Sequence, residues 1–170
     1  MASQKQLDRL SSGKTLWNTW RRDFPDVQAL EPDLHAADLH GADLHGVDFH
    51  GADLTEANLQ GADLQNVDLH EADLRNANLR GANLSDANLF QAHLQRADLR
   101  GAILCRANLR WADLSNADLR GADLDGAILG KAKFDGANIS KVDHHAAAHS
   151  TADNTTDLHE SEAVSSVKSV

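Results

Sequence analysis

Residues 41–74 read GADLHGVDFHGADLTEANLQGADLQNVDLHEADL. Every fifth residue is Leu or Phe, Ala or Val stands two positions before it, and Asp or Asn fills the place between. Neither regular element accommodates this period. On an α-helix five residues advance about 500°, roughly 140° past a full turn, so the leucines would wander around the cylinder. On a strand side chains alternate with period two, so an odd repeat throws successive leucines to opposite faces. A chain that turns a corner every five residues collects all of them. If each corner is about 90°, four edges close a square coil, the apolar residues point inward and the coils stack as a solenoid.

The register extends well beyond the opening stretch. The large inward residue runs from Leu34, Leu39, Leu44, Phe49 and Leu54 to Leu129, Phe134 and Ile139 in steps of five, giving 22 repeats without an insertion. The small inward residue starts at Ala37 and is Ala thereafter, except at Val47, Val67 and Val142, and Pro32 stands at the entrance. At four edges per coil this makes about 5.5 coils, and at ~4.8 Å per coil a rod only ~26 Å long.

The segments ADLHG, ANLQG, ADLRG and ANLSD resemble the A(D/N)LXX consensus of the pentapeptide-repeat proteins. The resemblance covers residues 32–142. It implies an all-β fold, a right-handed quadrilateral β-helix, in a family that is largely non-enzymatic. Its best understood members resemble a rod of duplex DNA and act on type II topoisomerases. Those relatives usually carry a C-terminal dimerising helix, which the sequence here does not offer.

Three segments follow: a leader over 1–31, the solenoid over 32–142 and a polar tail over 143–170. In the leader, Leu16, Trp17, Trp20 and Phe24 suit one side of a short helix that Phe24-Pro25 ends. An open solenoid end needs covering, so this helix is expected to be an N-terminal cap. The stretch LWNTWRRDFPD also looks like leaders attached to other pentapeptide-repeat proteins. The tail is rich in Ser, Thr, Ala and Asp with no apolar stripe and is expected to be disordered.

Composition narrows the function classes. No apolar run is long enough to span a membrane, no signal-peptide h-region is visible, and the single Cys105 cannot form an internal disulfide. A cytoplasmic protein is expected. There is no phosphate-cradling Gly loop, no Cys cluster and no nucleophile–base arrangement with a pocket, so neither catalysis nor a cofactor is expected.

Residues 20 apart should stack on one flank. The net charge of −10 then hides a division: residues 32–74 carry ten acids and no Lys or Arg, whereas 75–142 carry seven acids and ten bases. Asp33, Asp53 and Asp73 form one acidic column, and Asp43 and Asp63 begin another, in which turn geometry competes with partner binding as the reason. Arg80, Arg100 and Arg120 form a basic column. Gly41, Gly61, Gly81, Gly101 and Gly121 form a fourth column, suited to corners with positive φ. His35, His40, His45 and His50 fall on four different flanks and cannot share an ion; only His50 and His70 stack, a weak candidate for a divalent metal. Neighbouring carboxylates are expected to raise these histidine pKa values.

The basic half offers apolar outward residues. Phe90, Arg110, Trp111 and Ile128 should project from one flank, with Ile103 and Cys105 on the next. Trp, Phe and Arg together are typical of interface hot spots. The leading reading is a rigid scaffold that binds an unidentified protein or a second copy of itself. The alternative is a DNA mimic acting on a type II topoisomerase, against which the short acidic run and the missing helix count. Direct nucleic-acid binding through Arg75, Arg80, Arg96, Arg100 and Arg120 is disfavoured by overall acidity.

Overall fold

The computed structural model describes residues 2–23 and 32–142. From Asp33 onward each edge contributes one β-bridge residue, and every bridge is parallel and joins residues 20 apart, as in Asp33↔Asp53↔Asp73. Four five-residue edges therefore make one coil. The flanks are named here after their first central residue: Leu34, Leu39, Leu44 and Phe49.

One repeat explains the sequence rule. Take Asp53–Ala57. The Leu54 N–H donates to Asp73 O of the next coil at 2.8 Å, and the Asp53 N–H donates back to Pro32 O at 2.9 Å. The Glu56 N–H reaches Arg75 O at 3.0 Å, and the Ala57 N–H closes the corner on Leu54 O at 3.1 Å. The Thr55 N–H is the one donor the coils leave over, and Asp53 Oδ1 accepts it at 3.0 Å. Every N–H of the repeat is thus used. Asp or Asn before each Leu is an Asx-type acceptor, so the acidic columns have a structural cause in every coil.

The corners are equally uniform. The residue two places after each central Leu has φ between +54° and +69° at all of its 22 positions, from Ala36 to Lys141. The Gly column meets this demand without strain. At thirteen corners, however, a residue other than Gly takes it, among them Glu71, Arg96 and Trp111.

The interior is two apolar ladders, Leu and Ala. From Phe49 to Leu124 every central residue is essentially inaccessible. At the C-terminal end Leu129, Phe134, Ile139 and Val142 are only partly buried.

Two helices, α1 (Gln4–Ser11) and α2 (Lys14–Asp23), close the N-terminal end. The sequence reading anticipated one helix; α1 is short and mostly polar, and only Leu10 and Gln6 are buried. Trp17 is completely buried. Its ring stands edge-on to Phe49 at 5.6 Å and to Trp20 at 5.1 Å. The helices also replace the coil that is missing before the first. Gln6 Oε1 accepts the Asp33 N–H, Ser3 N–H donates to Asp33 O, and Asn18 accepts the Asp48 N–H while donating to Gly46 O. Trp17 Nε1–H donates to Asp48 O at 2.7 Å, and Arg21 donates to His50 O.

One cap expectation needs correcting. Leu16 is 59% exposed, because the helix turns Trp17 toward the coil and the preceding position away from it. Phe24 and the tail over 143–170 lie outside the described residues. Among those described, no helix is long and apolar enough to cross a membrane.

Candidate interaction surface

The Phe49 flank carries the sequence candidates. The bridge series Asp48↔Asp68↔Asn88↔Asn108↔Ile128 sets its rungs. Beside that series run His50, His70, Phe90 and Arg110, linked through Glu71 N–H to Phe90 O at 2.9 Å and Gln91 N–H to Arg110 O at 3.0 Å. At the corner bounding the flank stand Glu71, Gln91, Trp111 and Lys131. The structure therefore brings Phe90, Arg110, Trp111 and Ile128 onto consecutive rungs of one surface.

Two of these residues break the rules of the repeat. Trp111 occupies a left-handed corner, φ +62°, where a bulky side chain costs of order 1 kcal/mol. It is nonetheless 53% exposed, and the Lys131 ammonium lies 4.3 Å from its ring centre. Ile128 stands where Asp or Asn accepts the N–H two residues on; an apolar residue forgoes that bond, worth about 1 kcal/mol. The Asn ladder below it, Asn108 to Asn88 at 3.2 Å and Asn88 to Asp68 at 3.0 Å, stops there. Both departures put apolar surface outward at a local penalty, and they coincide on one flank. Arg110 leans along the rod over Gly130, whose absent Cβ would sit 3.6 Å from Arg110 Cγ. It forms no ion pair among the described residues.

The other candidates are accounted for within the fold. Arg100 and Arg120 pair with Asp98 and Asp118 of their own repeats, Nε to Oδ1 at 2.8 and 2.9 Å. The guanidinium in each pair holds its carboxyl below the usual range. Arg80 has Asn78 in the corresponding place and no such carboxylate. Two thirds of the basic column is thus neutralised locally, which weakens it as a phosphate-binding stripe. Asp43 and Asp63 bridge as a stack and accept the His45 and Gln65 N–H groups at 3.2 and 3.1 Å, the general turn role.

His50 and His70 do lie one above the other, their rings edge-on with centres 3.6 Å apart. No group of three or more His, Cys, Asp or Glu side chains among the described residues is placed to hold a metal ion. The expected rise in histidine pKa is overturned at His50, which is lowered by burial, by His70 and by Arg21, more than Asp48 and Asp68 offset. The cap helix, invisible to a reading of the repeats, supplies Arg21 and part of the burial. On the neighbouring Leu44 flank Ile103 is 39% exposed. The Cys105 thiol donates to Asp123 at 3.1 Å and is pushed up to about 11 by burial and that carboxylate, which makes it a poor nucleophile. An open polar groove between Thr55, Arg75, Gln95 and Arg96 follows the corner of the Leu34 flank.

A family model described as pentapeptide repeats matches residues 33–70, 68–104 and 106–140. Among solved structures the chain is similar to Rfr23, a pentapeptide repeat protein of the cyanobacterium Cyanothece 51142, with 31% identity over 75% of this chain and 97% of that one at a TM-score of 0.65. It is also similar to HetL of Nostoc sp. strain PCC 7120, involved in heterocyst differentiation regulation, with 34% identity over 65% and 56% at a TM-score of 0.45. A third is a thylakoid-lumen protein of Arabidopsis thaliana, with 32% identity over 73% and 77% at a TM-score of 0.39. No curated protein matches the sequence.

Proposed function

Since the chain belongs to the pentapeptide-repeat family, we propose that it is a non-enzymatic, rigid interaction scaffold whose working surface is the Phe49 flank. The carrying observation is the exposed Trp111 at a strained corner beside Arg110, Phe90 and Ile128. In a repeat that tolerates almost any polar residue outside, an aromatic there is expensive locally and useful only to a partner. The interior supports binding over catalysis, because Leu and Ala fill it and leave it no room for a substrate. A cytoplasmic setting is part of the proposal, supported by the lone unpaired Cys105.

Mimicry of DNA toward a type II topoisomerase is the weaker reading. Its support is the acidic run over residues 32–74. Against it, those carboxylates serve the turns, as in Asp43, Asp53, Asp63 and Asp68.

The test is affinity capture from native lysate with the full chain, Trp111→Glu and Asp43→Lys/Asp63→Lys side by side, read by mass spectrometry. A bound protein, including added copies of the chain, that is lost with Trp111→Glu supports the scaffold. A topoisomerase subunit lost only with the Asp43/Asp63 variant replaces it with the mimic. Capture indifferent to Trp111→Glu sinks the flank as the working surface.

A further inference from the structure

The Phe49 flank is graded along the rod. Its second rung carries Asp68, His70 and Glu71; its third carries Asn88, Phe90 and Gln91; its fourth carries Asn108, Arg110 and Trp111. Acid lies on one side of Phe90 and base on the other. Rungs two and four are each ~4.8 Å from the Phe90 rung. Neither Glu71 nor Arg110 forms an ion pair among the described residues. Elsewhere along the rod several bases are paired, as in Arg75 with Asp73, Arg100 with Asp98, Arg106 with Asp86 and Arg120 with Asp118.

We infer that this flank is self-complementary, and that a second copy of the chain docks on it face to face and antiparallel, with the two Phe90 side chains meeting at the two-fold axis.

The symmetry follows from the layout. A two-fold axis lying across the rod sets every outward column against itself in reverse. Rung two of one copy then faces rung four of the other. Arg110 then faces His70 of the second copy, within reach of the Asp68 and Glu71 that flank it on that rung, and the reciprocal contact forms on the far side of the axis. Glu71 of that copy also approaches Trp111 and the Lys131 ammonium held over it. The apolar centre is the Phe90 pair, where edge-to-face stacking is available. A parallel arrangement would set the acidic second rung against itself and the basic fourth rung against itself, and so lacks this complementarity.

The size of the flank sets the strength. It is about 20 Å long from Asp48 to Ile128 and one coil edge wide, short of the ~800 Å² per partner of a standard stable interface. The dimer is therefore reversible and sensitive to salt. The inference rests on the reading of this flank as an interface and names its occupant.

Sedimentation of the full chain tests it, from about 10 μM to about 1 mM at low salt. Wild type should form a reversible dimer that weakens as salt rises. Glu71→Arg and Arg110→Glu should each weaken it roughly tenfold or more, because one substitution removes two attractive pairs and creates two repulsive ones. An equimolar mixture of the two variants should regain association, since both cross pairs become opposite in sign. The double variant in one chain should regain it as well. A monomer throughout the range overturns the inference, as does a dimer indifferent to both reversals. A photo-cross-linker placed at Phe90 separates the two levels. If it traps a different protein from lysate while the chain stays monomeric, the flank is an interface and its occupant is not a second copy. If it traps nothing and the chain stays monomeric, both the occupant and the interface reading fall.

Discussion

Two rungs of the Phe49 flank share a backbone and differ in everything around it. At the first, Asp48, Phe49 and His50 are taken over by the cap: Trp17 covers Phe49, Asn18 and Trp17 satisfy Asp48, and Arg21 reaches His50 O. At the fourth, Arg110 stands in the place of His50 and Trp111 in that of Gly51, with a solvent-facing ring. The first rung spends its unusual residues on closing the fold. The fourth spends them on the outside, against the local preference of the corner. An aromatic in this repeat therefore has two meanings, and only its surroundings separate them.

The largest expected effect lies at the cap. Trp17→Ala should destabilise the chain by about 3–5 kcal/mol, through the lost ring and the lost bond to Asp48 O. Thermal unfolding followed by circular dichroism would measure it, and a change under 1 kcal/mol would mean the first coil stands without its cover. Asn18→Ala removes two bonds to the first coil and should cost about 1–3 kcal/mol in the same assay.

The fourth and fifth rungs should respond with the opposite sign. Trp111→Gly relieves the left-handed corner and should leave stability unchanged or raise it by up to about 1 kcal/mol, while abolishing partner binding. Ile128→Asn restores the turn acceptor and extends the Asn ladder, for a gain of about 0.5–1 kcal/mol with weaker binding. A Trp111→Gly variant as destabilised as Trp17→Ala would show that the corner aromatic serves the fold after all.

Acid should act at the first rung. The folded pKa of His50 lies below the ordinary value of 6.5, so the unfolded chain binds the proton more readily. The stability tied to neutral His50 is fully present above about pH 6.5 and is lost as pH falls through the folded value. His50→Asn should flatten that part of the pH–stability curve; an unchanged curve would remove His50 as its cause. The smallest effect belongs to Leu16→Ala, within about 0.5 kcal/mol, because the side chain faces solvent.

The repeat was legible because each of its residues has one job. Leu and Ala fill the interior, Asp or Asn accepts the spare N–H, and the corner needs positive φ, so a period of five recurs without gaps. The stack of Phe90 over Arg110 followed from the same arithmetic. The docking site of the cap was less visible, although Phe49 in a column of leucines marked it. Leu16 was misjudged because amphipathic spacing tolerates it on the apolar side, whereas Trp17 alone decides how α2 turns. The direction at His50 was not legible because carboxylates two residues away are visible in the sequence, whereas the burial that dominates the shift, and Arg21 far back in the chain, are not.

From the sequence came the coil, its register, the columns on each flank and the division of charge, all consequences of short-range rules repeated without interruption. From the tertiary structure came the cap contacts, the internal pairing of Arg100 and Arg120, the burial around His50 and the exposure of Trp111. These depend on which side chains meet across coils and across the leader, and a local pattern carries no record of distance between residues far apart in the chain.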